Sequence, residues 1–153
     1  MAVDFPCEIL TPYRRFFSGK VESATFTTHD GRIEILAHHE SLVAPVRIGQ
    51  LWLVVGGKVK KASVTEGFVR VKQGKVDLFV GAAEWPEEID RERAERALGR
   101  AMKRLSTETL SWRIESSKLA IARANNRLAV SGGAPDLPDL ASSSDLNRLP
   151  PSQ

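Results

Sequence analysis

The residues of this chain best suited to chemistry are carboxylates and guanidiniums: Glu84, Asp90 and Arg93 within ten positions, then Arg100, and Arg123 with Arg127 one helical turn apart. The planar fork of arginine matches phosphate oxygens two at a time, and nearby carboxylates keep a guanidinium cluster from repelling itself. That pattern points to anion binding rather than bond-making. His29, His38 and His39 are the only histidines, and the last two point to opposite faces if extended, which is poor ligand geometry. No serine sits in a nucleophile-elbow setting and no glycine cluster matches a phosphate loop. Cys7 is the single cysteine, without a partner for an internal disulfide or a metal site, and reads as a small core residue in a chain suited to a reducing compartment.

The elements that must position these groups change period at Glu84–Ala94. Upstream, short apolar or alternating runs are separated by turn signals, as in an all-β sandwich. Asp30-Gly31 predicts a hairpin between Val21–Thr27 and Ile33–Leu36, Gly74 a second one, and the Gly56-Gly57 pair a third. Pro86 cannot donate to a ladder and suits the end of the sheet, whereas Asp90 suits a helix N-cap. Ala94, Ala97, Leu98, Ala101, Met102 and Leu105 then form one helical stripe, and Ser106–Thr109 interrupt it. Leu110, Ile114, Ser117, Ile121, Ala124 and Leu128 step by fours and threes, the spacing of a two-helix seam. Trp85 and Trp112 read as packing residues.

This gives an α+β chain of two domains: an antiparallel β-sandwich over residues 1–86 and an antiparallel helical hairpin over 87–131. A Pro/Ser-rich tail, 132–153, reads as disordered. The hairpin seam holds so much Ala and Ser that it buries little apolar area, and two short helices are marginal alone in water. It must therefore dock on something larger, in a way that can be switched.

A length of 153 residues with 42% hydrophobic residues allows one core and a small satellite, and excludes a large multidomain enzyme. Charge is interspersed. Residues 1–86 carry 11 basic and 9 acidic groups, 87–131 carry 10 and 7, and 132–153 carry 1 and 3, so nucleic acid does not follow from charge alone. The N-terminus lacks signal-peptide features, and no apolar run approaches the ~20 residues that span a bilayer. Membrane association then has to come through a partner.

If the hairpin turns near Thr107, Arg123 faces the level of Arg93, and the guanidiniums converge toward Glu84 and Asp90. The same residues also fit a solvated helix face with ordinary pairs, Glu92 with Arg96 and Arg100 with Glu115. Asp90 can equally be a plain N-cap. An adaptor gripping nucleic acid with its basic hairpin is a further reading, although the hairpin offers only Trp112 for stacking on bases.

Several motifs carry a family likeness. Ile9-Leu10-Thr11-Pro12, Phe17-Ser18-Gly19-Lys20-Val21-Glu22, Gly31-Arg32-Ile33-Glu34-Ile35-Leu36 followed by His39, Leu42-Val43-Ala44-Pro45 and Gly67-Phe68-Val69 occur in the order seen in the epsilon subunit of the F-type ATP synthase. Ile89-Asp90-Arg91-Glu92-Arg93-Ala94 resembles the signature of epsilon subunits whose hairpin binds ATP, and Ala122–Leu128 resembles their second-helix segment with two arginines. The likeness covers residues 3–131. It implies two five-stranded sheets, a place on the central stalk of a proton-transporting synthase, and contacts with the gamma subunit and the c-ring. It also implies a compact arm with ATP bound and an extended arm that enters the alpha/beta hexamer and blocks hydrolysis. The site implied is Glu84, Ile89, Asp90, Arg93, Arg100, Arg123 and Arg127: Arg93, Arg123 and Arg127 on phosphate, Arg100 more distant, Ile89 on the base, and Glu84 with Asp90 orienting. The resemblance likewise implies ATP as the regulatory ligand, with no requirement for metal, and no active site of the chain's own. The chain departs from the family at Gly31–Glu34, at Ala37–Leu42, and at Glu66-Gly67, where the family has paired glycines.

Overall fold

The computed structural model describes residues 3–132. Ten strands run β1 Phe5–Leu10, β2 Arg15–Val21, β3 Ser23–Thr28, β4 Gly31–Leu36, β5 Leu42–Val46, β6 Gly49–Val55, β7 Lys58–Val64, β8 Gly67–Lys72, β9 Lys75–Val80 and β10 Ala83–Glu84. They make two five-stranded layers, β10-β7-β6-β3-β4 and β5-β8-β9-β1-β2, joined through the single pair Thr28 with Val46. The neighbours are antiparallel, as expected, except β1 and β9, whose ladder is parallel.

Alternating side chains fill the space between the layers. Ile9, Val21, Ala24, Phe26, Ile35, Leu53 and Val69 are fully buried there, with Cys7 among them. The Gly56-Gly57 and Gln73-Gly74 turns take positive φ at both central residues, the form that matches strand twist. The first hairpin differs from its expectation. Thr28 pairs with Gly31, so His29-Asp30 occupy the turn, and Gly31 alone there takes positive φ. Val21–Thr27 is not one strand either. The backbone leaves the β1 ladder at Val21, Glu22 N donates to Val54 O at 2.7 Å, and Ser23 begins pairing in the other layer.

Past β10, a 3-10 turn at Pro86–Glu88 leads to α1, Arg91–Thr107, and α2, Ser111–Gly132. Asp90 caps α1 as its side chain accepts from Arg93 N at 3.0 Å. The foot of the hairpin is pinned from below. Trp85 stacks on Phe16 with centroids 4.3 Å apart, and Arg14 donates to both Ala83 O and Glu88. The seam closes on Ala94, Ala101, Ser117, Ala124 and Val130. Met102 and Leu110, expected in the seam, are exposed, Leu110 because it precedes α2. Trp112, expected to pack, is 65% exposed with Arg113 over its ring. The 132–153 tail expectation falls, after Gly132, outside the described residues.

Candidate functional site

α2 lies against β6 and β7, and its polar contacts with the sandwich come from Arg123, Asn126 and Arg127. Asn126 is the central anchor. Its amide nitrogen donates to Gly49 O at 2.7 Å and to Ser63 Oγ at 2.9 Å, satisfying both hydrogens on one strand pair. Beside it, Arg127 Nη2 donates to Glu84 Oε2 at 3.0 Å, with both side chains about a quarter exposed. Arg127 Nε lies 2.9 Å from Oε1 of the same carboxylate, but its buried N–H is not aimed at that oxygen. The pair is thus an ion pair in which both carboxylate oxygens lie within 3.0 Å of the guanidinium. One turn back, Arg123 Nη2 pairs with Glu66 at 3.1 Å, in the loop between β7 and β8.

Arg123, Asn126 and Arg127 border a cleft of about 300 Å³ between sandwich and arm, with Ser63, Thr65, Ala82, Glu84, Ala97 and Ala124 also in its lining. Local sequence explains the placement. Arg123 and Arg127 share a helix face at i, i+4, the alanines of the seam let α1 and α2 approach closely, and the two-residue β10 holds Glu84 against Ser63. Two guanidiniums on the rim and an apolar floor suit a phosphate-bearing ligand, while Glu66 and Glu84 pair with those guanidiniums when no ligand is present.

The remaining expected site residues do not converge here. Arg93 and Arg100 are exposed on α1 and have no ion-pair partner among the described residues. Asp90 spends its carboxylate on the cap, and the Ile89 side chain is buried. The register of the hairpin is the reason. Arg91 Nη1 lies 3.4 Å from Ser131 Oγ, and Arg123 shares the cleft with Ala97, one turn beyond Arg93. The connection falls at Glu108–Leu110 rather than at Thr107, where Glu108 accepts from the Thr109 and Leu110 amides; these hydrogen bonds, that to Leu110 foremost, lower its pKa. The surface pair Glu92–Arg96 forms at 3.9 Å, whereas Glu115 pairs with Lys118 instead of Arg100.

Asn126 was legible in sequence only as a polar residue between two arginines, and Glu66 only as a departure from a glycine. Among the described residues there is no cluster of His, Cys, Asp and Glu able to hold a metal, and no helix is long and apolar enough to cross a membrane.

Comparison with known proteins gives matches along nearly all of the described chain. Residues 4–86 match the ATP synthase delta/epsilon chain β-sandwich domain, and residues 87–132 its long α-helix domain. The chain is 43% identical over 125 residues to the ATP synthase epsilon chain of Caldicellulosiruptor saccharolyticus, covering 82% of this chain and 91% of that one. It is 39% identical over 130 residues to that of Alkaliphilus metalliredigens, covering 85% and 97%. In structure it resembles a chain of the Euglena gracilis mitochondrial ATP synthase assembly of OSCP, F1 and c-ring, with a TM-score of 0.72 and 26% identity over 82% of this chain and 80% of that one. A chain of the Tetrahymena thermophila central stalk and c-ring shares the fold, at a TM-score of 0.57 and 13% identity over 82% and 95%.

Proposed function

Because this chain belongs to the delta/epsilon family of ATP synthase, as an epsilon subunit of the central stalk, we propose that its helical arm is a brake on ATP hydrolysis that ATP itself holds off. The sandwich grips the gamma subunit and the c-ring. The arm rests on the sandwich when ATP is bound, and extends along gamma into the alpha/beta hexamer when ATP is scarce. The chain has no active site of its own and sits peripherally at the cytoplasmic face of the bacterial plasma membrane, bound through its partners.

The observation that supports this most directly is the cleft under α2, where Arg123 and Arg127 stand one turn apart on the rim. Both guanidiniums would hold phosphate oxygens, with Glu84 orienting Arg127. Arg93 would reach the ligand from α1, Arg100 would stay more distant, and Ile89 and Asp90 would act at the hinge, on the base and on the arginines. ATP can shift the arm only by binding the docked form better than the extended one, and a concentration 100 times its Kd stabilises that form by about 2.7 kcal/mol. The resting seat, built on Asn126 and two ion pairs, is weak enough for such a ligand to decide the balance.

Calorimetric titration of the whole chain with ATP tests the reading. Arg123→Ala removes a charge-assisted hydrogen bond worth about 1.5–3 kcal/mol, so binding weakens by roughly one to two decades. Asp90→Asn keeps the helix cap and removes the charge. Unchanged affinity in both variants would remove the site. The nucleic-acid adaptor gains little from the structure, since the single exposed ring on the hairpin, Trp112, gives successive bases nothing further to stack on.

A further inference from the structure

Glu66 occupies the loop where the family resemblance leads one to expect glycine, and its carboxylate lies 3.1 Å from Arg123 Nη2. We propose that Glu66 is a built-in counter-carboxylate of the anion cleft: it holds Arg123 in the unliganded chain, must yield it when a phosphate arrives, and so sets the affinity of this chain for its ligand. The inference rests on the reading of Arg123 as a phosphate contact.

The geometry supports competition rather than assistance. Glu66 and Arg123 are both somewhat under half exposed, so their pair is screened and readily exchanged, unlike the more enclosed Arg127–Glu84 pair one turn along. A carboxylate accepts hydrogen bonds only and repels a phosphate oxygen at the same fork, so a bound anion either displaces it or suffers its charge. Among the described residues Glu66 makes no other side-chain hydrogen bond, and its backbone carbonyl accepts from Gly81 N. Apart from its pair with Arg123, then, nothing among the described residues holds its side chain beside the cleft. Asn126 and Arg127 keep α2 seated when Glu66 lets go, so releasing Arg123 does not cost the docked arm.

The test is calorimetric titration of the full chain with ATP, wild type against Glu66→Gln, at low and at physiological ionic strength. The substitution is isosteric, lies on the surface and leaves the backbone contact in place. Removing a competing exposed carboxylate is expected to tighten binding about two- to fivefold, the range of an exposed ion pair, with the gain shrinking as salt rises. An affinity equal to or weaker than wild type overturns the inference and leaves the nucleotide reading standing, with weaker binding marking Glu66 as an orienter of Arg123. Failure of both chains to bind ATP overturns the nucleotide reading and this inference with it.

Discussion

Cys7 shows how an ionisable group can be made chemically silent by its surroundings. It is 2% exposed between the layers, and burial first, then the Asp77 and Glu8 carboxylates, push its thiol up to about 12. Because the folded value is raised above the unfolded one of 9.0, the neutral thiol favours the fold fully below pH 9, and that contribution is lost as pH rises toward 12. Cys7 should therefore fail to react with a disulfide reagent at pH 8 in the native chain and react stoichiometrically once urea unfolds it. Prompt native-state labelling would contradict its placement. Arg123 and Arg127 illustrate the opposite use of surroundings, since each is kept near the cleft by a carboxylate it can share. Their i, i+4 spacing was readable from sequence, but their partners were not. Glu66 is 57 residues from Arg123 and Glu84 is 43 from Arg127, beyond any local pattern.

At the scale of the element, the hairpin is defined by what it lacks. Four of its buried positions are small, Ala94 and Ala101 on α1 and Ser117 and Ala124 on α2, so the hairpin gains little from burial at about 25 cal/mol per Å². Ala101→Leu should force the helices apart at a cost of about 1–3 kcal/mol, read as a lower denaturation midpoint, with the β-sheet signal at a given denaturant concentration changed less than the helical one. A midpoint equal to wild type would mean that the seam has room to spare. The elements themselves were legible because their signals are local: the glycine turns, the Asp90 cap, and the change of period at the hinge. The phase of the hairpin was not, because a stripe of alanines fits a partner almost equally well one turn up or down. Moving the connection from Thr107 to Glu108–Leu110 is a small change in sequence. It separates Arg93 from Arg123, and with them the convergence expected from spacing alone.

At the scale of the molecule, a sandwich with a large contiguous core carries an arm with almost none. The two share an interface of one amide anchor, two ion pairs and the pinned foot at Trp85 and Arg14. Such an arm has a resting position without being committed to it, which is what a subunit that responds to its surroundings requires. The sandwich was foreseeable from strand and turn signals, and its parallel β1–β9 contact was not, since strands about 70 residues apart leave no trace of their pairing in either run. The central claim is that ATP stabilises the seated arm, and amide hydrogen exchange over α2 in the full chain tests it most directly. With saturating ATP, the amides from Ala120 to Val130 should exchange at least tenfold more slowly, while those of β6 and β9 change little. Identical exchange of α2 with and without ATP would contradict the account.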